Sequence, residues 1–463
     1  MRLTKSRFSK IIITSISVFF LFVFITKNYK SKPTENRAKH QTDYHGNFRS
    51  VDPLYLQYIQ THQSIFYTQK YSRNELESIY GTCENIWSQK ASQAEVNASI
   101  GVQTHVLGSL RRGFQKCENF FSRRIHLYNT EPVNKFEDSF PIAYTLLVYH
   151  EFDQVEQILM SIFRRQNVYC INVDNSTAKP FKELVSRLAR CFPDNIIIPK
   201  RVIDVHYARV TQTRAELNCM MELLAFSDKW KYLINLTGEE LPLLTNLEIV
   251  TVLHKMKGSN VIDGPLHFDD HLRYPTERLP FGLQKFKSQT HFVFSREATQ
   301  FIHDNPNITE TFLSLVMDFK YPEESFFALL QFNHHLNMPG ALKERWSEES
   351  LPFIPYEHES HGYFNRYKMW FFQKNFTCLS GKKQRHICMI GVKTLPELIN
   401  KSYGKQMFIN KFPWRFEPRA WDCILSWNYK KVQLEYETRK PALAHYAYLD
   451  NPQLQLTRKN EKR

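Results

Sequence analysis

The sequence predicts an α/β fold with a mostly parallel sheet, and the prediction rests on the region from residue 141 to residue 242. There, runs of strand-forming residues alternate with segments whose apolar residues recur at helical spacing. Such alternation is typical of right-handed β-α-β units. Ligands of these sheets bind beyond the carboxyl ends of the strands. His150, Asp174 and Gly238-Glu239-Glu240 follow predicted strands, so we expect the functional site at that edge.

Each predicted element has a local reason in the sequence. Apolar runs rich in β-formers are the predicted strands, at residues 141–150, 168–174, 196–198 and 232–236. Segments with apolar residues at helical spacing are the predicted helices, at residues 153–162, 181–188 and 215–226. Asp153 has the short acidic side chain that accepts hydrogen bonds from a first helical turn, so it is the predicted N-cap of the first helix.

An apolar segment near the N-terminus predicts a membrane anchor. Residues 11–26 carry no charge, but they are fewer than the ~20 residues typical of a membrane span. A cleaved signal peptide is therefore the alternative. Bulky and charged residues follow instead of a small-residue cleavage site, which favours a signal anchor. Residues 1–10 then form a cytoplasmic tail, and the polar residues 27–50 form a stem.

The rest of the chain divides into three predicted parts. Residues 51–140 are helical and aromatic, residues 141–435 form the main α/β domain, and residues 436–463 form a C-terminal tail. The formal net charge is +15. It indicates either a solvated basic surface or attraction for anionic ligands such as nucleotide phosphates. Nothing in the chain resembles a nucleic-acid-binding motif, so we expect no nucleic-acid partner.

Cysteines and glycosylation sequons indicate a secretory compartment. The chain has 8 cysteines, an even number that suits disulfides. Asn-x-Ser/Thr sequons occur at Asn97, Asn175, Asn235, Asn307, Asn375 and Asn400. Asn235 lies in a predicted buried strand, so we expect glycosylation only at the other five. Spacing alone pairs only Cys378 with Cys388, which enclose a short loop. A zinc site is the alternative, but the ligand spacing that it needs does not occur in the sequence.

Short motifs follow one another in a characteristic order along the chain. They are Pro141-Ile-Ala-Tyr144, Tyr169-Cys-Ile-Asn-Val-Asp174, Ala215-Glu-Leu-Asn-Cys219, Trp230-Lys-Tyr-Leu-Ile-Asn235, Pro242-Leu-Leu-Thr-Asn-Leu-Glu-Ile249, Phe292-Val-Phe-Ser-Arg-Glu297, Tyr321-Pro-Glu-Glu324 and Phe408-Ile-Asn-Lys-Phe412. With this order and spacing the chain resembles the Core-2/I-branching β-1,6-N-acetylglucosaminyltransferase family of Golgi membrane proteins. The resemblance implies a GT-A type nucleotide-sugar fold for residues 141–435. It also implies an inverting transfer that needs no divalent metal.

The resemblance assigns the reaction chemistry to three residues. Glu324 is implied as the base that deprotonates the acceptor hydroxyl. Arg385 and Lys411 are implied as the cations that offset the charge on the departing UDP. The alternative for Glu324 is an acid in the first turn of a helix, where the dipole favours it. The alternative for the two cations is that they are solvated, as most of the 61 Lys and Arg residues are.

The resemblance assigns substrate contacts to four further residues. Asp174 matches a contact to the uracil or ribose, and Tyr207 matches an aromatic residue beside the base. Trp370 matches an aromatic residue that stacks on the acceptor sugar, and Arg273 is a further acceptor contact. The alternatives are a turn-forming aspartate and a tryptophan of the core.

Metal binding is the main alternative to these cations. A metal-dependent enzyme of this fold needs an Asp-x-Asp-like pair after the strand at residues 232–236, and no Asp-x-Asp occurs in the chain. Glu239 and Glu240, or Asp269 and Asp270, are carboxylates that suit a hard cation. We nevertheless expect no cofactor and no metal.

The family's disulfide pairing uses all eight cysteines of this chain. The implied pairs are Cys83–Cys423, Cys117–Cys191, Cys170–Cys219 and Cys378–Cys388.

The chain also departs from the family's pattern near the expected site. The departures are Tyr207-Ala-Arg-Val-Thr211 for Tyr-x-Ser-Trp-Ser, Thr237 for an unpaired cysteine, Glu240 for an aspartate, and Ser288-Gln-Thr-His291 for Gly-Ser-Ala/Gln-Tyr. These changes concern sugar and acceptor contacts, while Glu324, Arg385 and Lys411 are retained.

Three functional hypotheses follow. The first is a luminal Golgi transferase that moves N-acetylglucosamine from the donor UDP-N-acetylglucosamine through a β-1,6 bond. Its acceptor is an O-glycan or glycoprotein that carries galactose or GalNAc, such as core 1. The second is a relative that uses UDP-glucose or UDP-xylose. The third is an inactive glycan-binding protein, against which the retained base and cations argue. Whether the chain forms a homodimer is left open.

Overall fold

A computed structural model describes residues 73–100, 117, 130–262, 266–267, 278–341, 365–370, 377–402 and 406–442. The predicted anchor at residues 11–26 lies outside these ranges, as do the predicted tail and stem that flank it. Arg273 and Asn375 also lie outside them. None of the described helices is both long enough and apolar enough to cross a membrane.

The described secondary structure alternates between strands and helices. The strands are β1 (Ile142–Val148), β2 (Val168–Val173), β3 (Ile196–Ile197), β4 (Tyr232–Thr237), β5 (Leu241–Pro242), β6 (Val261–Ile262), β7 (Leu266–His267), β8 (Phe286–Lys287), β9 (Phe292–Ser295), β10 (Arg366–Tyr367), β11 (Lys383–Gln384), β12 (Ile387–Cys388) and β13 (Phe408–Ile409). The helices are α1 (Arg73–Trp87), α2 (Gln93–Ile100), α3 (Lys135–Asp138), α4 (Phe152–Ile162), α5 (Lys179–Cys191), α6 (Val210–Phe226), α7 (Asn246–Met256), α8 (Arg296–Asp304), α9 (Pro306–Val316), α10 (Phe326–Phe332), α11 (Leu395–Ser402) and α12 (Pro418–Thr438).

A six-stranded sheet in the order β3-β2-β1-β4-β9-β6 forms the centre of the fold. Strands β1 to β4 are parallel to one another, and β9 is antiparallel to both β4 and β6. The predicted mostly parallel α/β sheet is therefore confirmed. A smaller sheet has the strand order β10-β13-β5. The chain passes directly from the main sheet into this smaller sheet, because β5 follows β4 after only three residues.

Two details of the predicted elements are wrong. Asp153 is not an N-cap: Glu151, in the left-handed conformation with φ 57°, precedes α4, and Asp153 lies buried inside the first turn. The chain has to turn sharply after β1, so the helix begins earlier than the side-chain preference indicates. Helix α6 begins at Val210 instead of residue 215, because the polar residues of its first turns carry no apolar periodicity and are still helical.

Two apolar cores cover the two faces of the main sheet. Because side chains alternate along a strand, Tyr144, Leu146 and Val148 face one core and Ala143 faces the other. The first core includes residues of α1, α4, α5, α7 and α12. The second core includes residues of α6, α8, α9 and α10. Helices on both faces leave the strand ends as the accessible edge of the sheet.

Disulfides join distant parts of the chain. The structure contains the bonds Cys83–Cys423, Cys117–Cys191, Cys170–Cys219 and Cys378–Cys388, which are the pairs that the family resemblance implies. The first bond ties α1 to α12, and the last closes the β11–β12 hairpin. The described N-terminal helices therefore pack onto the main domain.

A buried carboxyl group lies in α12. Asp422 is 1% exposed, and within the described residues neither of its side-chain oxygens has a hydrogen-bond partner. Burial raises the pKa of Asp422 to about 8, against the opposing charge of Arg419. The stability that the protonated group contributes is fully present below its unfolded pKa of about 4 and is lost as the pH rises through about 8.

Replacing this carboxyl group should change how stability depends on pH. We expect Asp422→Asn to raise the melting temperature by several degrees at about pH 8.5 and by less at about pH 5, because the amide cannot ionise. Thermal unfolding at both pH values measures this effect. Asp194→Asn, at an exposed position, is the control. An equal shift for Asp422→Asn at both pH values would contradict the prediction.

Candidate active site

The carboxyl ends of β1 and β4 lie side by side where the strand order reverses. Strand β1 pairs with β2 on one side and with β4 on the other, so the connections leave this point in opposite directions. Such a reversal opens a crevice at the strand ends. His150 follows β1 and Gly238-Glu239-Glu240 follows β4, as predicted. The register of the two strands pairs Leu147 with Thr237, so the segments that follow them leave the sheet side by side.

Glu239 interacts with both predicted diphosphate cations, with Lys411 by an ion pair and with Arg385 electrostatically. Lys411 Nζ lies 2.7 Å from Glu239 Oε2, and the Phe412 amide donates to the Glu239 carbonyl oxygen at 3.1 Å. The pairing of β13 with β5 fixes this contact, since only Asn410 separates Lys411 from β13. Burial opposes the ionisation of Glu239, but Lys411, His150 and Arg385 hold its pKa below the ordinary carboxyl value. Lys411 therefore contacts Glu239 directly, and Arg385 affects the same carboxylate electrostatically.

Arg385 lies on Tyr207. It is at the tip of the β11–β12 hairpin in the left-handed conformation with φ 52°. Its guanidinium carbon is 3.4 Å from the centroid of the Tyr207 ring, which is a close cation–π contact. Tyr207 is 52% exposed. The structure thus brings together two residues that the sequence assigned to the donor.

Asp174 holds the segment that carries Tyr207. Its Oδ1 accepts hydrogen bonds from the amides of Ser176 at 3.0 Å and Val205 at 3.1 Å. The turn-forming alternative therefore describes a contact that Asp174 makes. The same contact fixes the approach of residues 201–209 to the end of β2, so Asp174 and Tyr207 line one side of the edge.

Glu324 ends a 3₁₀ turn, Pro322–Glu324, that is separate from α10. Tyr321 precedes it in the left-handed conformation, and both acids lie in its first turn, so the alternative of an acid at a helix start describes this turn, in 3₁₀ form instead of α form. The Glu324 side chain is 22% exposed, with Lys287 Nζ 3.6 Å from Oε2, whereas Glu323 is buried. The accessible acid of the pair is the one that the sequence assigned as the base.

Two tyrosines connect this turn to Arg385. The Tyr321 and Tyr207 rings are 5.8 Å apart in an edge-to-face arrangement. Tyr207 in turn lies under the Arg385 guanidinium. The predicted base and a predicted diphosphate cation therefore belong to one contiguous set of side chains.

Trp370 packs against the same hairpin. It forms an isolated antiparallel bridge with Ile387, and the Cys388 amide donates to the Met369 carbonyl oxygen at 2.9 Å. Trp370 is half-buried. Trp370, the predicted acceptor contact, therefore packs against the β11–β12 hairpin that carries Arg385.

Sequence reasoning missed a buried network below this surface. Glu240 is fully buried, with Arg366 Nε 2.7 Å from Oε2 and His291 Nε2 2.6 Å from Oε1. Burial opposes its ionisation, but Arg366 and His291 hold the pKa of Glu240 well below the ordinary value. Lys368 Nζ lies 3.0 Å from His291 Nδ1.

The sequence contains only part of the information needed to predict this network. Arg366 and Lys368 lie on and beside the two-residue strand β10, which shows no periodicity. Thr237, Glu240 and His291 were noticed as departures from the family pattern. All three meet here, because Thr237 Oγ1 also donates to Glu240 Oε1 at 2.7 Å.

The described sequons differ in accessibility. Asn97, Asn175 and Asn307 are exposed. Asn235 lies in the buried strand β4, where its side chain donates to the Thr290 carbonyl oxygen and accepts from the Phe292 amide. This burial agrees with the expectation that Asn235 is not glycosylated.

Comparison with known proteins identifies the family. The family model described as Core-2/I-Branching enzyme matches residues 142–399, which is more than half of the chain. The chain is 29% identical over 339 residues to the mouse (Mus musculus) protein named β-1,3-galactosyl-O-glycosyl-glycoprotein β-1,6-N-acetylglucosaminyltransferase 4, with 68% of this chain and 70% of that relative covered.

Viral and human relatives give similar values. A Bovine herpesvirus 4 protein named β-1,3-galactosyl-O-glycosyl-glycoprotein β-1,6-N-acetylglucosaminyltransferase is 30% identical over 333 residues, covering 66% of this chain and 72% of its own. The human (Homo sapiens) protein of that name numbered 3 is 28% identical over 346 residues, covering 69% and 74%. With the family model matched over residues 142–399, the chain belongs to the Core-2/I-branching enzyme family.

Proposed function

We propose that this protein is an inverting glycosyltransferase that moves N-acetylglucosamine from UDP-N-acetylglucosamine to a galactose- and GalNAc-containing O-glycan such as core 1, forming a β-1,6 bond. The observation that carries the proposal is the arrangement in which Arg385 lies on Tyr207, Tyr207 contacts Tyr321 just before Pro322-Glu323-Glu324, and Lys411 pairs with Glu239 after β4. Membership of the family and the names of its relatives support the same reaction.

The proposed reaction is a single displacement. Glu324 takes the proton from the acceptor hydroxyl as its oxygen bonds to the anomeric carbon of the donor sugar. The bond between that carbon and the diphosphate oxygen breaks, and UDP leaves from the opposite face, which inverts the configuration. Arg385 and Lys411 offset the negative charge that develops on the leaving diphosphate.

Independence from divalent metal is part of the proposal. The carboxylates after β4, where a metal would bind the diphosphate, already have cationic partners. Glu239 pairs with Lys411, and Glu240 pairs with Arg366. This pairing supports a site in which side-chain cations act on the diphosphate directly.

The cellular setting and the substrates are also proposed. A signal anchor at residues 11–26 and a luminal catalytic domain suit the four disulfides and the exposed sequons. UDP-glucose or UDP-xylose is the alternative donor, because Thr237, Glu240 and His291 depart from the family pattern. An inactive glycan-binding protein is the remaining alternative. UDP release by the full chain in detergent, with a panel of UDP-sugars with and without core 1 glycoside, distinguishes them.

Removal of the proposed base should abolish most turnover. We expect Glu324→Gln to lower kcat by about 10²–10⁴-fold, the usual contribution of a general base, and to leave UDP binding and the melting temperature nearly unchanged. Steady-state kinetics and calorimetric titration with UDP measure these quantities. Glu323→Gln is the matched control. If Glu323→Gln abolished turnover and Glu324→Gln did not, the assignment of the base would be wrong by one residue.

Chelation should not affect the reaction. We expect the initial rate to be the same in buffer and in excess EDTA, because Arg385 and Lys411 supply the positive charge. The measurement is UDP release before and after chelation, followed by addition of Mn²⁺. A rate that is lost in EDTA and returns with Mn²⁺ would refute the proposed role of the two cations.

The hairpin disulfide should matter more for donor binding than for global stability. Its chain-entropy contribution is only about 2–3 kcal/mol, but it orders the loop that holds Arg385 on Tyr207. We expect the double variant Cys378→Ser/Cys388→Ser to raise the Kd for UDP clearly and to lower the melting temperature only slightly. Cys83→Ser with Cys423→Ser should do the reverse, since that bond ties α1 to α12. Equal effects of the two double variants on UDP affinity would contradict this assignment.

A further inference from the structure

The Glu240 carboxylate fixes the tautomer of His291. Arg366 holds Glu240 ionised, and an ionised carboxylate only accepts hydrogen bonds. His291 Nε2, 2.6 Å from Glu240 Oε1, therefore carries a hydrogen. Thr237 Oγ1 donates to the same oxygen at 2.7 Å and Asn410 Nδ2 at 3.3 Å, so the carboxylate is surrounded by donors.

The other ring nitrogen of His291 accepts from Lys368. An ammonium group only donates, and Lys368 Nζ lies 3.0 Å from His291 Nδ1. Burial, Lys368 and Arg366 lower the pKa of His291 to about 3, against the opposing effect of Glu240. The imidazole is therefore neutral and links an anion on one side to a cation on the other.

Lys368 connects the buried His291 ring to Trp370 at the surface of the site. It is 5% exposed, so its ammonium group depends on buried acceptors, which include His291 Nδ1 and Gln289 Oε1. Its Nζ is 5.8 Å from the centroid of the Trp370 ring. Gln289 follows Ser288, whose amide donates to the Glu324 carbonyl oxygen at 2.8 Å.

We propose that His291 is a positioning residue that, through Lys368, fixes Trp370 and with it the acceptor side of the site. The proposal rests on the proposed function for the identity of that side. It assigns His291 no contact with substrate, since the imidazole is buried between Glu240 and Lys368.

The donor side is held by other contacts. Lys411 is fixed by Glu239 at 2.7 Å, and Arg385 lies on Tyr207. Among the described residues, two links lead from Glu240 toward this side, the 3.3 Å contact with Asn410 and the pair with Arg366 on β10 beside β13, and neither includes His291. The bridge between Trp370 and Ile387 reaches the Arg385 hairpin, but the Cys378–Cys388 bond closes that hairpin independently of His291. Loss of His291 should therefore change acceptor binding and leave UDP binding almost unaffected.

The test separates these two effects. His291→Phe keeps a planar ring and removes both nitrogens, so a buried ammonium loses an acceptor. A buried polar group left without its partner costs enough to change an affinity by about tenfold or more. We expect the KM for a β-1,3-galactosyl-GalNAc glycoside to rise by at least that factor. The Kd for UDP should stay within about twofold of the wild type.

Two further variants serve as rescue and control. His291→Gln keeps one donor and one acceptor and should recover part of the acceptor KM. His303→Phe removes another histidine bonded to a carboxylate, since its Nδ1 lies 2.8 Å from Asp304 Oδ1, but this residue is exposed on α8. It should leave both constants unchanged.

The ring itself provides a readout that does not need turnover. In ¹⁵N-histidine-labelled wild-type protein, we expect one imidazole in the neutral Nε2–H form that does not titrate between about pH 5 and pH 8, and His291→Gln should remove that resonance.

Three outcomes would overturn the proposal. They are an acceptor KM for His291→Phe equal to that of His303→Phe, an equal loss of UDP affinity and acceptor affinity, and a His291 ring that titrates in this range. If the wild type transferred no sugar from any UDP-sugar, the proposed function would fail. The positioning role of His291 would then be judged from the imidazole resonance and from glycoside binding by His291→Phe.

Discussion

The buried ion pair between Glu240 and Arg366 is the contact on which the site geometry depends. It joins the end of β4 in the main sheet to β10 in the small sheet, and that small sheet also contains β13, after which Lys411 follows. A buried pair of this kind adds little net stability, but losing one partner leaves an uncompensated charge that costs about 3–5 kcal/mol. The pair therefore acts mainly by excluding other arrangements of the two sheets.

The two adjacent glutamates after β4 have different partners. Glu240 points into the protein and pairs with Arg366, while Glu239 pairs with Lys411 and interacts with His150 and Arg385. On the proposed function, the UDP diphosphate competes with Glu239 for these cations. Glu239 holds Lys411 beside the strand end through the fold itself, and Arg385 is held on Tyr207.

The sequence predicted what depends on local pattern and on family motifs. Strand and helix alternation gave the sheet, and the motifs around Glu324, Arg385 and Lys411 identified side chains that the structure brings to one edge. Arg366 escaped prediction because it lies 126 residues from its partner Glu240, and no local periodicity reports such a pair. Asp153 was misassigned for the opposite reason, since a tertiary constraint at Glu151 overrode a local preference.

Three of the departures from the family pattern, Thr237, Glu240 and His291, meet at one buried carboxylate. Thr237 and His291 both donate to Oε1 of Glu240, so a change in any one of the three leaves a buried donor or acceptor unmatched. Such positions are expected to change together. His291 links Glu240 to Lys368 beside Trp370, so on the proposal above a change at His291 acts first on the acceptor side. On the proposed function, the base and the diphosphate cations follow the family pattern, and this buried set is where the acceptor side departs from it.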